Sequence, residues 1–261
     1  MPIDCSTELN KLSQVEFAEV SYAVMAEIFD LQRELGRLFD EKVYKNALQS
    51  RMSNLQTEVE IKVSIRDFQK SYFMDVLASS GAVFELKAIE SINQRHRSQL
   101  LNYLLLCELK HGKLVNLRSD SVEHEFVNAT ISLEERQTFI VEKAQWRKTE
   151  GFSSAEQSLM IEMVRDWGTG LERALYEEAL IHFKGGLDQV KQEIDVVMNG
   201  KTISTQPALL CGPETVLKVT TFENNTDMYQ KDLSCFLTKT SMEAIQWINI
   251  SRNRLSFKTI M

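Results

Sequence analysis

Four residues are best placed to do chemistry: Asp75, Glu85, Lys87 and Glu41. Glu85-Leu86-Lys87 lies in a stretch that reads as a strand, where side chains at i and i+2 share a face. Glu85 and Lys87 therefore point together, while Phe84 and Leu86 point into packing. With the preceding hairpin centred on Ser80, the register places Asp75 opposite Glu85 on that same face. Two carboxylates so paired have Cβ atoms about 4.5–5.5 Å apart and repel. A divalent cation removes that cost, because Mg²⁺ takes carboxylate oxygens together with waters. A lysine beside such an ion can hold or help deprotonate an attacking water. Glu41 joins the group on a helix, where Tyr44 at i+3 and Leu48 at i+7 share its inward face; an acidic residue in a first turn also answers the helix dipole. Gln99 and Tyr103, at i and i+4, share a face of a later helix. E-x-K also occurs in exposed salt-bridge ladders on strands, so spacing alone leaves both readings open.

The elements that must position these residues follow from periodicity. Val20, Val24, Ile28, Leu31 and Leu35 recur at three- and four-residue steps, which predicts a helix over 17–35 that Gly36 ends. A second helix starts near Asp40. The period then changes to two at Val59, Ile61, Val63 and Ile65, as in a half-buried strand. Strands are expected over 72–78 and 82–88, joined by Ser79-Ser80-Gly81 with Gly81 in the left-handed position. A helix over 95–110 and short strands over 113–117 and 123–129 complete an α-α-β-β-β-α-β-β order.

Composition narrows the class. The chain has 261 residues, of which 43% are hydrophobic and 26% charged, enough for a buried core and against disorder. Net charge is −7, and residues 1–150 and 151–261 carry −4 and −3, so neither half is a basic module that coats DNA. No apolar run approaches a membrane span, the N-terminus does not resemble a signal peptide, and no membrane partner is expected. Cys5, Cys107, Cys211 and Cys235 form no C-x-x-C pair, which argues for free thiols in a reducing compartment and against zinc. The expected location is cytoplasmic.

The chain also repeats itself. At an offset of 133, FELKAIESINQRHRSQLLNYL from Phe84 lies over LKVTTFENNTDMYQKDLSCFL from Leu217, and Asn116 over Asn249. At an offset of 132, Gly36, Tyr44, Ala47 and Leu48 match Gly168, Tyr176, Ala179 and Leu180. Element order and the shared G…Y..AL pattern predict a duplication, with domains 1–143 and 144–261 and the joint in the polar stretch from Ala144 to Ser154.

DVLASSGAVFELKA, with Asp75, Glu85 and Lys87, resembles the D…E-x-K signature of the PD-(D/E)XK nuclease superfamily. QLLNY, from Gln99 to Tyr103, resembles the Q-x-x-x-Y motif of its RecB-like branch. GRLFDEKVYKNAL followed by ELKA and SQLLNYL is similar to the GxxExxxxA family within that superfamily, with Leu38 where that family has a second glycine. The resemblance covers about residues 17–129. It implies a restriction-endonuclease-like α/β domain, a mixed sheet flanked by helices, and with the internal repeat it implies two such domains in tandem. It implies Asp75 and Glu85 as metal ligands, Lys87 as partner of the hydrolytic water and Glu41 as a further acid at the metal. Gln99 and Tyr103 are implied as supporting or substrate-orienting groups. The reaction would be Mg²⁺- or Mn²⁺-dependent hydrolysis of a phosphodiester, with DNA favoured among nucleic acids.

The second copy is expected to be degenerate. Asp75 maps to Ala208, Glu85 to Lys218, Lys87 to Thr220, Gln99 to Asp232 and Glu41 to Arg173, so it would serve packing as an intramolecular pseudo-dimer. Association into homo-oligomers is left open. Arg95 and Arg97, with His96 between them, are candidate phosphate contacts at the start of the motif helix, although a solvated helix start explains them too. Arg252, Arg254 and Lys258 read equally as nucleic-acid contacts or as a charged outer strand face. Trp146, Trp167 and Trp247 read as packing. The competing class is a non-catalytic nucleic-acid-binding or interaction module that retains an inherited fold.

Overall fold

In the computed structural model, which describes residues 2–261, the chain forms two compact units that divide between Leu133 and Glu134. The first contains β1 (Ile3–Cys5), α1 (Gln14–Leu35), α2 (Glu41–Arg51), β2 (Leu55–Ile65), β3 (Phe68–Ala78), β4 (Ala82–Lys87), α3 (Gln94–Leu106), β5 (His111–Asn116) and β6 (Glu123–Asn128). The expected order is present, with β1 in addition. β1 pairs with the edge of β2, Ile3 opposite Val63; three residues are too few to display a period. The six strands are ordered as they occur in the chain and are antiparallel, except for the parallel pair β4–β5.

Helix α1 begins at a capping box, Ser13 with Glu16, and ends at Gly36, whose φ of 76° favours glycine. Its stripe of Phe17, Val24, Ile28 and Leu31 packs with Tyr44 and Leu48 of α2 and with Val76, Phe84, Leu86 and Val115 of the sheet. Each fully buried large apolar side chain contributes roughly 1.5–3 kcal/mol. That core holds the first turn of α2 close to the end of β4.

The β3–β4 turn corrects one expectation. Ser79 and Ser80, not Gly81, take the left-handed conformation, at φ 49° and 56°, in a three-residue loop closed by the Ala78–Ala82 pair. Gly81 is required for space. A Cβ there would stand 2.3 Å from the Asn10 carbonyl oxygen, where the N-terminal segment crosses the turn and the Asn10 N–H donates to the Ser80 carbonyl. The ladder pairs Val76 with Phe84, the register expected for a hairpin centred on Ser80.

The second unit contains α4 (Leu133–Gln137), which begins at the joint, β7 (Ile140–Gln145), α5 (Ser154–Trp167), α6 (Arg173–Phe183), α7 (Leu187–Val190), β8 (Lys191–Met198), β9 (Lys201–Gly212), β10 (Thr215–Thr220), α8 (Thr226–Thr238), β11 (Ala244–Ser251) and β12 (Arg254–Ile260). Its sheet order is β7-β12-β11-β10-β9-β8, with β10–β11 and β12–β7 parallel. The expected division at 143/144 falls inside β7, which pairs with β12, Val141 opposite Leu255. β7 is a mostly exposed edge strand, so it carries no apolar alternation to mark it in the sequence.

The order β2–β6 in the first sheet recurs as β8–β12 in the second, with the parallel pair in the same place. Bonds recur too. Gly36 and Gly168 both end a helix at positive φ, and the hydroxyls of Tyr44 and Tyr176 donate to the carbonyls of those glycines. Asn116 and Asn249 each accept, through Oδ1, an N–H from the segment after the first strand of the parallel pair: Ile89 at 3.2 Å and Phe222 at 2.8 Å. The matched residues in the sequence thus make matching bonds. Tyr44→Phe and Tyr176→Phe should each lower stability by about 1 kcal/mol, read as a shift in the denaturation midpoint. An unchanged midpoint in both would show that these hydroxyls hold nothing.

Candidate active site

The strand register brings the carboxylates together. One residue beyond the Val76–Phe84 pair, Asp75 stands beside Glu85, and its Oδ2 accepts the Leu86 N–H at 3.0 Å. The Nζ of Lys87 lies 2.6 Å from Glu85 Oε1, 3.6 Å from Asp75 Oδ2 and 3.9 Å from Glu41 Oε2. Glu41 reaches in from the first turn of α2, and its Oε1 also accepts the Ala88 N–H at 3.4 Å. All four expected residues therefore converge, around the lysine ammonium. The cluster is deeply set: Glu85 is 0% exposed, and Asp75 and Lys87 are 8% exposed.

Burial sets the electrostatics. Burial first, and then the Asp75 charge, push the Glu85 carboxyl up to about 8, against the pull of Lys87. Glu85 Oε1 binds Lys87, but Oε2 is buried with no hydrogen-bond partner. For Lys87, burial alone would lower the ammonium, yet Glu85, followed by Asp75 and Glu41, outweighs it and holds it above the ordinary lysine value. An ionised carboxylate with one dry, unpaired oxygen is costly. Additional positive charge at that oxygen offsets the cost.

Sequence reasoning missed Lys45. One turn beyond Glu41 on α2, its Nζ binds Asp75 Oδ1 at 3.0 Å and also pairs with Glu58 of β2. Burial opposes the Lys45 ammonium, but those two partners outweigh it and raise it. Asp75 and Glu85 therefore do not face each other bare, because Lys45 and Lys87 stand among them. The i, i+4 spacing of Glu41 and Lys45 was the available signal, since it puts both on one helix face.

The other expected residues do not join this cluster. Gln99 donates to the Tyr103 hydroxyl at 2.9 Å, and Tyr103 packs edge-on against Tyr72. Arg97 is paired with Glu125 of β6 at 2.6 Å, while Arg95 is exposed. His96 closes the cap of α3 by accepting the Asn93 N–H at Nδ1. Its pKa is lowered by burial and then by the Lys87 charge, which puts the start of α3 within electrostatic reach of the cluster. Among the described residues, no group of three His, Cys, Asp or Glu side chains stands ready to close on a metal ion. The carboxylates instead surround Lys87. As a donor set, carboxylate oxygens without thiolate or imidazole, one of them buried and unpaired, fit a hard divalent cation.

Residues 18–128 match the PD-(D/E)XK nuclease superfamily. The match spans α1 to the end of β6 and contains every residue of the cluster. No curated protein matches the chain. The crystal structure of SSO0001 is similar over 46% of this chain and 59% of that one, at 21% identity and a TM-score of 0.28. No helix among the described residues is long and apolar enough to cross a membrane.

Two substitutions test the charge arrangement. Asp75→Asn should destabilise the protein in chelator by roughly 1–3 kcal/mol, the worth of hydrogen bonds to charged groups. Lys45→Met should destabilise it by a comparable amount, because it leaves Asp75 and Glu58 without their shared cation. Denaturant titration reads both. A gain in stability from Asp75→Asn would mean that carboxylate repulsion outweighs the two lysines.

Proposed function

We propose that the first unit is a divalent-metal-dependent phosphodiesterase acting on nucleic acid, with DNA favoured. The observation that carries the reading is the convergence of Asp75, Glu85, Lys87 and Glu41, with one buried oxygen of Glu85 unpaired. The superfamily match over the same residues supports it. Asp75 and Glu85, with Glu41 beside them, would hold Mg²⁺ or Mn²⁺. Such an ion, when bound, supplies positive charge at a phosphate oxygen and lowers the pKa of a water.

The chain's own residues do the rest. Lys87 stands at hydrogen-bond distance from Glu85 and keeps its proton, so it can donate to a reacting water or phosphate oxygen. Lys45 holds Asp75 in one orientation from the side of α2. The Gln99–Tyr103 bond stiffens the face of α3, and Arg95, exposed at the start of that helix, is free to meet a backbone phosphate. The four free cysteines suit a reducing, cytoplasmic setting.

We read the second unit as a degenerate copy of the first. Shared strand order, the paired Gly–Tyr bonds and the paired asparagines support that reading. The competing reading, a binding module without catalysis, draws on the absence of a ready-made metal cluster among the described residues.

A nuclease assay separates the two readings. With Mg²⁺ or Mn²⁺ the wild type should cleave DNA, and Asp75→Ala and Lys87→Ala should lose roughly 10²–10⁴-fold in rate. Cleavage that survives both substitutions, or its absence in the wild type with either ion, would sink the catalytic reading. Binding can be read separately. Mn²⁺ at about 100 times its dissociation constant should stabilise the wild type by roughly 2.7 kcal/mol, and Asp75→Asn should remove most of that gain. Equal gains in both proteins would place the ion elsewhere.

A further inference from the structure

The second unit keeps the frame of the first unit's cluster and inverts its charges. The ladder pairs Val216 with Leu210, so two steps further on Lys218 falls opposite Ala208, as Glu85 falls opposite Asp75. On α6, Arg173 and Glu177 take the places that Glu41 and Lys45 hold on α2, one turn apart. Thr220 stands where β4 has Lys87. Acid has become base at two positions, and base has become acid at one.

These residues do not fill the space between them. A cleft of about 340 Å³ opens there, with Arg173, Glu177, Lys218, Thr220, Phe222 and Tyr229 in its walls. That volume is at the small end for ligand pockets, which run from about 300 to 1,000 Å³. Arg173 pairs with Glu177, so those two charges offset each other. Thr220 is already committed: its Oγ1 lies 2.7 Å from Asn249 Oδ1 and accepts the Trp247 indole N–H at 2.8 Å. Asp232, further along α8, is exposed and lines no part of the cleft.

Lys218 is different. Its Nζ stands 5.5 Å from the centre of the Phe236 ring, and among the described residues no oxygen accepts a hydrogen bond from it. Burial lowers its pKa, with Glu177 pulling the other way and Arg173 adding to the shift. The cleft therefore holds a half-buried ammonium that, among the described residues, no carboxylate pairs with directly, beside a guanidinium whose ion pair with Glu177 leaves its other N–H groups to a ligand. One wall is aromatic: Tyr229 packs 4.9 Å from Phe222 and 5.4 Å from Trp247, centre to centre. A phosphate answers an ammonium and a guanidinium together. A flat base answers the rings, since base–aromatic stacking is worth roughly 1–3 kcal/mol.

We propose that this cleft binds a nucleoside monophosphate unit, with its phosphate on Lys218 and Arg173 and its base against Tyr229 and Phe222. The unit is either a free nucleotide or the 5′-phosphorylated end of a single strand. The site stands independently of catalysis in the first unit.

Calorimetry on the full chain in chelator tests it, with four probes: inorganic phosphate, adenosine monophosphate, and a single-stranded tetranucleotide with and without its 5′-phosphate. The nucleotide should bind at one site per chain and more tightly than inorganic phosphate. Lys218→Met should weaken it about tenfold or more, equivalent to roughly 1.4 kcal/mol. Arg173→Gln, an exposed change that does not depend on the core tolerating it, should weaken it in the same direction. Asp75→Ala should leave it unchanged, so a failed nuclease reading would not affect this result. Tighter binding of the phosphorylated strand than of the free nucleotide identifies a strand end as the ligand, and the reverse order identifies the nucleotide itself. The proposal is overturned if no probe binds the wild type, if folded Lys218→Met and Arg173→Gln bind as well as the wild type, or if only Asp75→Ala abolishes binding.

Discussion

Two ionised carboxylates on neighbouring strands repel across one buried face of a sheet, and positive charge between them offsets that cost. The first unit meets this constraint with two lysines from different elements: Lys87 from β4 itself and Lys45 from α2. The approach of α2 to the end of β4 is thus an electrostatic requirement as well as a packing one. Remove the ammonium groups and the hairpin that carries Asp75 and Glu85 has unpaired charge in a dry setting, where screening by water is weak. The Ser79–Gly81 turn, the crossing of the N-terminal segment over Gly81 and the β3–β4 register all serve to hold that one pairing.

The same cluster explains why a site can be rich in charge and still be short of it. Lys87 neutralises one oxygen of Glu85, while the other has no partner. A buried acid in that position is raised until more positive charge arrives. Structure and chemistry pull in the same direction here, because the group most expensive to leave alone is also the one best prepared to receive a cation.

The two units show that the frame and the charges are separable. Both keep the glycine that ends the first long helix, the tyrosine that binds its carbonyl and the asparagine that pins the segment after the parallel strand. These are side-chain bonds to backbone groups, made by neutral residues and indifferent to the charges that line the cleft. At the corresponding positions the second unit has Lys218 and Arg173 rather than acids, and its sheet has the same strand order. The same strand order therefore accommodates linings of either sign.

Much of this was legible in the residues alone. A period of 3.6 or 2 is written along each long element, so α1, α2, β2 and the β3–β4 hairpin could be placed, and two-residue alternation then set Asp75 beside Glu85. The offset of 133 could be read because bonds such as that of Asn116 to Ile89 need the same side chain at the same step in both units. What could not be read was whatever depends on elements meeting from a distance in the chain. β1 and β7 are edge strands too short or too exposed to carry a pattern, so the division at 133/134 was missed. Lys45 reaches Asp75 across thirty residues, and only the packing of α2 on the sheet decides that. Gly81 was assigned to backbone freedom when the reason was the Asn10 carbonyl lying over it. Local sequence determines which way a side chain points along its own element, whereas the partner it meets there is decided by tertiary packing, because charge and close contact act through space and leave no period behind.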